Sequence, residues 1–478
     1  MPRALKQTPK GIVNQASTKQ FSEVLAETAR SRGTIAKPKP LASVRVSPGG
    51  HFAVAALLTF GSLVLLRTNR DLAALVLIGA TWIIIPILIV TDRLYFDGQT
   101  LFRSGITALL SRLLSGQRPR LDVTEIERVE VATLRTLRRG GRVRYRYRVE
   151  VSGKGLSFVF TSGGAKFRRM VNCLLPRIAI AKLDARACEL RDHLADPNEL
   201  RAAVDQLGIA TDSILEQAEE SARHHLEKQV NHDPNRALML RQVANGLRVA
   251  GRLRESGEAF RRALHLDGRE PWLIYEYARL LRSQAAAFGD ARLLNRACAA
   301  LRLAAVRGAQ DAMLLARIGE SFLEFGKPAR AAKAFHRSIE LDENSYVAQL
   351  GLAEIGLSEG KLAHVIHHYN DATRVAPDQA TAQMARREAE YYSRLNADDE
   401  YLSSELRRMN WLEGAGRIQQ LSARVSFAAL LLALTGSFID QIVAGVGWAL
   451  ASSSIIGWSG ALLMKKFLSR RRRVDVSA

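Results

Sequence analysis

Three histidines, His364, His367 and His368, share one stretch of helical periodicity. Two histidines four apart on a helix can hold a metal ion, and that is the chemistry this spacing would serve. A zinc peptidase places a glutamate directly after the first histidine, whereas Val365 stands there, and no third ligand is evident. A solvated helix face is therefore expected, and no metal is assigned. Gly153-Lys154-Gly155 and Gly163-Gly164-Ala165-Lys166 lack the G-x-x-x-x-G-K-[ST] spacing that cradles phosphates, and no G-x-S-x-G elbow occurs. Cys173, Cys188 and Cys298 show no C-x-x-C spacing, which argues against a disulfide framework or zinc site and suits a reducing compartment. No enzyme, catalytic residue or cofactor is expected.

The arginines offer recognition instead. In the run from Arg142 to Val149, period-two alternation sends Arg142, Arg144, Arg146 and Arg148 to one strand face and Val143, Tyr145, Tyr147 and Val149 to the other. With Arg135, Arg138 and Arg139 nearby, this stripe would meet anionic headgroups at about 1 kcal/mol per basic residue. A charged face that keeps the strand soluble and unpaired is the plainer reading. The tyrosines share the apolar side, so they cannot interleave with the arginines as stacking platforms, and nucleic acid is not an expected partner. The net charge of +22, from 69 Lys+Arg against 47 Asp+Glu, favours anionic partners in general.

The elements that must carry these residues begin at a membrane. Leu72 to Thr91 runs without a charge for about 30 Å of helix, the thickness of a bilayer's hydrocarbon core. Phe52 to Leu66 is shorter, about 22 Å, but Arg67 can snorkel and the link to Asp71 closes a hairpin. Two spans are expected, the alternative being an interfacial first segment and a single crossing. Ile442 to Met464 is a further span, preceded by Phe427 to Ile439 and the polar pair Asp440-Gln441, so a second hairpin follows. Asp440 reads as a turn carboxylate rather than part of an ion pathway, because no other acid or histidine occupies a span. Nine basic residues in the first fifty, and Lys465, Lys466 and Arg470 to Arg473 after the last span, keep both ends cytoplasmic.

Residues 92–180 alternate β-branched and aromatic positions between turn signals, first at Asp97-Gly98, then at Arg138 to Gly141, then at Ser152 to Gly155. A helical pattern through Phe167, Met170 and Leu174 closes the meander. A membrane hairpin, a sheet opening on Thr91-Asp92-Arg93-Leu94-Tyr95-Phe96-Asp97-Gly98 and a closing helix resemble the bacterial pleckstrin-homology-like membrane proteins over residues 50–180. Ile106 to Leu114 is an insertion in that layout.

Farther on, Phe335 and Tyr369 stand 34 positions apart, with Gly326 and Gly360 nine residues ahead of each. A period of this length on helix pairs means units that bury a core only by stacking. The region resembles the tetratricopeptide repeat (TPR) family. Leu315, Ile318, Gly319, Phe322, Gly326, Ala331 and Phe335 fill one unit's packing positions. Leu352, Ala353, Gly360, Tyr369, Ala372 and Pro377 fill the next, and Leu240, Val243, Ala244, Leu247, Gly251, Phe260 and Ala263 an earlier one. Between them, Trp272 to Gly308 is a looser unit with Leu301 in the aromatic place and seven extra residues expected to widen its turn. Glu343, Gly356, Val365 and Ser256 depart from the family pattern. Helices at about 211–230 and from Gln379 to Leu395 would cap the ends. The resemblance implies a groove lined from each unit's first helix by Arg241, Asn245 and Arg248, then Tyr275, Arg279 and Arg282, then Glu320, Glu324 and Glu354. Such a groove is bipolar, and takes a segment with an acidic and a basic stretch in one direction only.

The expected fold is mainly α, a TPR-like helical solenoid with transmembrane hairpins and a small antiparallel β-rich domain. Its parts are a basic disordered tail (1–50), a transmembrane hairpin (51–91), a PH-like β-rich domain (92–180) and a helical linker and cap (181–236). The solenoid (237–400), a helical linker (401–424), a second transmembrane hairpin (425–464) and a basic cytoplasmic tail (465–478) follow. The expected function is that of a multi-pass scaffold or adaptor holding a protein partner at the cytoplasmic face of a bacterial inner membrane. The alternative is a lipid-headgroup-sensing or envelope-remodelling factor acting through the arginine face, its repeats self-associating into a homo-oligomer.

Overall fold

The computed structural model of the protein describes residues 40–46, 49–106, 108, 120–137, 143–162, 164–209 and 234–468. Most of the expected tail, Arg138, Arg139, Arg142, most of the 106–114 insertion, the helix expected at 211–230 and the run Arg470 to Arg473 lie outside the described residues.

The end of the expected tail is a strand. β1 (Ala42–Arg45) pairs antiparallel with β2 (Arg93–Phe96), Ala42 opposite Phe96 and Arg45 opposite Arg93. Ala42 and Val44 alternate inward, which gives even this short stretch a face to bury. Between the paired strands run α1 (Gly49–Arg67) and α2 (Asp71–Thr91). The chain must therefore leave the sheet and return to it, and a single crossing, with the flanking strands on opposite sides, is incompatible with that pairing. α2 is long and apolar enough to cross a membrane, while α1 contributes the shorter apolar run Val54–Leu66. At the foot of the hairpin Asp92, 1% exposed, accepts from Arg103 Nε at 2.7 Å and lies 3.6 Å from His51 Nε2.

β3 (Thr100–Ser104) and β4 (Arg120–Asp122) complete an antiparallel sheet in the order β1-β2-β3-β4. β5 (Arg128–Leu137), β6 (Val143–Gly153) and β7 (Leu156–Thr161) form a second, and an antiparallel bridge from Val46 to Phe160 joins the two. α3 (Ala165–Leu174) turns Phe167, Met170, Val171 and Leu174 inward at i, i+3, i+4 and i+7, against Phe96, Leu101, Leu121 and Phe160. Two short helices follow, α4 (Ala185–His193) and α5 (Pro197–Gln206).

The solenoid consists of four antiparallel helix pairs. They are α6 (Pro234–Ala250) with α7 (Leu253–Leu266), α8 (Pro271–Phe288) with α9 (Ala291–Arg307), α10 (Ala312–Glu324) with α11 (Pro328–Leu341), and α12 (Tyr346–Ser358) with α13 (Leu362–Arg374). α14 (Gln379–Ala397) packs on the last pair as the expected cap. Gly251, Gly289, Gly326 and Gly360 all sit at positive φ just past a first helix. In each turn the next N–H reaches back five residues, as from Lys327 to the Phe322 carbonyl at 2.9 Å, so one glycine-dependent stop is used four times. The extra residues of the second unit lengthen its helices, 18 and 17 residues against 13 and 14 in the third, and its turn stays tight. No helix breaker stands between Pro271 and Gly289, which is why the expected wide turn does not form.

The expected linker at 401–424 and the apolar run after it are one helix, α15 (Asp399–Ile439), 41 residues long. It turns at Asp440, whose Oδ1 accepts from the Ile442 N–H at 2.9 Å, into α16 (Gln441–Leu468). Both helices are long and apolar enough to cross a membrane. Ala429, Ala433 and Gly436 meet Ala444, Gly447 and Ala451 so closely that a Cβ on Gly436 or Gly447 would strike the facing backbone, the small-residue packing by which helices associate in lipid.

Candidate protein-binding groove

The first helices α6, α8, α10 and α12 carry the residues expected to line the groove, and the structure shows what they hold. α4 hangs from the second sheet. Asp184 caps it, accepting from Ala187 N–H at 2.6 Å through Oδ1 and from Val131 N–H at 3.0 Å through Oδ2. From there residues 180–193 run across the first helices. Lys182 Nζ, almost fully buried, meets Asp378 Oδ2 at 2.7 Å beyond the fourth unit. Arg317 Nη2 of the third unit donates to Cys188 Sγ at 3.0 Å and, more weakly, to the Ile180 carbonyl. Glu189 Oε1 takes Arg248 Nη1 of the first unit at 2.9 Å and Arg279 Nε of the second. Glu189 thus faces the arginine half of the solenoid, and Lys182 faces Asp378 beyond the fourth unit.

Glu189 sits in a strong field. Burial works to raise its carboxyl, but the Arg248 and Arg279 charges and their hydrogen bonds outweigh it and hold the group at about 2. Arg279 is in turn held well above its ordinary value, since Glu189, Tyr275 and Glu324 together overcome its own burial. His193, at the end of α4, is pushed down by burial and by Arg248.

The expected open groove is corrected here, because most of its residues are engaged within the chain. Arg241 forks onto Glu276 at 2.7 and 2.8 Å, and buried Asn245 donates to the same carboxylate at 2.7 Å. Arg248 is 5% and Arg279 8% exposed; Arg279 Nη1 also donates to Ser321 Oγ at 3.0 Å. Tyr275 is buried beside Arg279. Arg282 lies 3.7 Å from Glu324 and over the Phe325 ring at 4.8 Å. Glu320 pairs with Arg317 at 2.8 Å, and Glu354 is exposed. Glu189, Glu276, Ser321 and Lys182 were not foreseen. Two arginines buried on neighbouring first helices require an acid between them, but no local pattern says which element supplies it.

Arg144, Arg146 and Arg148 are exposed on one face of β6, opposite Thr136, Leu134 and Ala132 of β5. Arg142 lies outside the described residues, and Arg148 has Glu150 at 3.8 Å. The other face joins the two domains. Tyr147 donates to the Val249 carbonyl at 2.7 Å, and Val143 packs with Leu200, Val204, Leu240 and Phe260. The far end of the β5–β6 hairpin therefore rests on the first solenoid unit.

The histidine cluster also differs from expectation. His367, His368 and Asp371 bring one ligand atom each within 4.8 Å, so a third group does exist. His368 is bonded to Gln349 at 3.0 Å, and Asp371 is shared by His367 and Arg374; His367 is exposed while His368 and Asp371 are half-buried.

No family model and no curated protein matches the chain. Among solved structures, MamA is 15% identical with a TM-score of 0.26, the match covering 38% of this chain and 95% of that one. YrrB, described as a TPR protein with an unusual peptide-binding site, is 17% identical with a TM-score of 0.27, over 39% of this chain and 97% of that one. PilF of Pseudomonas aeruginosa is 20% identical with a TM-score of 0.27, over 44% and 98%. Stacked antiparallel helix pairs, a glycine stop in every unit and a large apolar anchor on the second helices make residues 234–397 a TPR-like solenoid.

Proposed function

We propose that the chain is a membrane-anchored scaffold that positions a protein partner at the cytoplasmic face of a bacterial inner membrane. The observation that carries this reading is the grip of the first helices on residues 180–193, which presents the concave face as a surface built to hold a polypeptide segment by charge. Two apolar hairpins, one inserted in the sheet and one that follows the solenoid's cap after a break at Asp398, support the anchoring. The test is twofold. Full-length protein should resist alkaline extraction, and tags at the termini and at residue 400 should report the cytoplasm. A photo-crosslinker at Glu354 should capture a protein that one at His367, on the histidine face, does not. Periplasmic tags, or equal capture at both positions, would count against it.

A second reading has its own support. The arginine face of β6 has no acid directly across on β5 at Arg144, Arg146 or Arg148, and two antiparallel sheets closed by a helix support the pleckstrin-homology-like resemblance. Reversing these three arginines to glutamate should abolish binding to anionic liposomes if lipid contact is the task, and leave partner capture intact.

A further inference from the structure

We propose that His367, His368 and Asp371 on α13 form a binding site for Zn²⁺ or a similar divalent transition-metal ion. Val365 and Ala372 are fully buried, which fixes the rotation of α13 and sends His364, His367, His368 and Asp371, at i, i+3, i+4 and i+7, to the face beside them. One ligand atom from each of His367, His368 and Asp371 lies within 4.8 Å of the others, the one such trio of ligand-type groups among the described residues.

The spacing suits a metal. His367 Nε2 and Asp371 Oδ2 are 3.3 Å apart. Two ligands held about 2.0–2.1 Å from a tetrahedral zinc stand about 3.3–3.4 Å from each other, so this pair is already placed as one edge of a coordination tetrahedron. Two imidazoles and one carboxylate favour zinc, cobalt or nickel over magnesium and calcium, which take mostly oxygen ligands. A fourth position falls to water or to His364, exposed one turn before His368.

The two half-buried ligands are also held from behind. His368 Nδ1 lies 3.0 Å from Oε1 of Gln349 on α12. An amide oxygen only accepts, so Nδ1 carries the proton and Nε2 keeps the lone pair that a metal needs. Arg374 pairs with Asp371 through Oδ1 and leaves Oδ2 turned to His367. Metal-binding histidines and carboxylates are commonly oriented by such a bond at their other atom. Because the three groups converge only on the folded helix, the ion stabilises the last repeat by mass action.

The test uses full-length protein without a polyhistidine tag, stripped by chelator in detergent and titrated with Co²⁺, whose tetrahedral complexes absorb in the visible. The chain should take up one equivalent, which Zn²⁺ then displaces. His367→Ala and Asp371→Asn should each weaken uptake at least about tenfold, and Gln349→Leu, which removes only the bond behind His368, about tenfold as well. His265→Ala, on α7, should leave it unchanged. His367 is exposed, so its replacement spares the fold, and circular dichroism checks the helix content of every variant. If Co²⁺ gives no such band, or if the His367→Ala/Asp371→Asn double variant keeps its helix content and binds as tightly as the original chain, the proposal is overturned. Partner capture through Glu354 does not depend on the outcome.

Discussion

Phe335 shows how a single residue sets the solenoid's stacking. Its ring is fully buried and lies so close to Gly319 in its own unit and Gly351 in the next that a Cβ on either glycine would collide with it. Phe335→Ala should cost about 3–5 kcal/mol in chemical denaturation, and Gly351→Ala, an overpacking change, about 1–3 kcal/mol. Glu189 gives a prediction in pH. Its folded value of about 2 lies below its ordinary 4.5, so its contribution is complete above the ordinary value and is lost as pH falls through the folded one. Between pH 5 and pH 2.5 hydrogen exchange along α4, normalised to the intrinsic rate at each pH, should therefore rise, and in Glu189→Gln that pH dependence should vanish. Phe335 and its glycines were legible in the sequence because their spacing is local and repeated. Glu189 was not, since its role depends on a segment outside the repeats folding back across them.

Among the elements, the turns between paired helices depend on glycine for its backbone. Gly326 and Gly360 have open space where a Cβ would go, so Gly326→Ala tests left-handed strain alone and should cost about 1 kcal/mol. The hairpin of α15 and α16 depends on glycine for its smallness. Gly447→Leu should separate the helices, so that a disulfide between cysteines introduced at Ser426 and Ser454, whose hydroxyls are 2.9 Å apart, forms readily in the original background and poorly in the variant. Gly251, Gly326 and Gly360 were legible as turns between paired helices, while Gly289 and the close-packed Gly436 and Gly447 were not. The extra length of the second unit was not legible as helix, because repeat register fixes how many residues a unit has and not where its breakers stand. β1 escaped because four residues carry too little periodicity, and their partner lies beyond an inserted hairpin.

At the scale of the whole molecule, the β-rich domain and the solenoid share a core. Val143 belongs to the same cluster as Phe260, Tyr147 bonds to Val249, and Arg387 on the cap reaches Glu127 at 2.5 Å. Hydrogen exchange should accordingly protect β6 and α6 together, and Tyr147→Phe, which leaves a buried carbonyl without its donor, should raise exchange in both. The joining of the β-rich part to the solenoid was invisible in the sequence, because the contacts that make it, such as Tyr147 to Val249 and Glu127 to Arg387, lie far apart along the chain.

The continuity of α15 has a mechanical consequence. A helix of 41 residues is about 60 Å long, and this one passes from polar to apolar sequence without a break. A lean of about 10° taken up to match a thinner bilayer shifts the opposite tip of such a shaft by about 10 Å. On the proposed anchoring, lipid thickness would thereby bear on where the first turns of α15, packed beside the cap, come to rest.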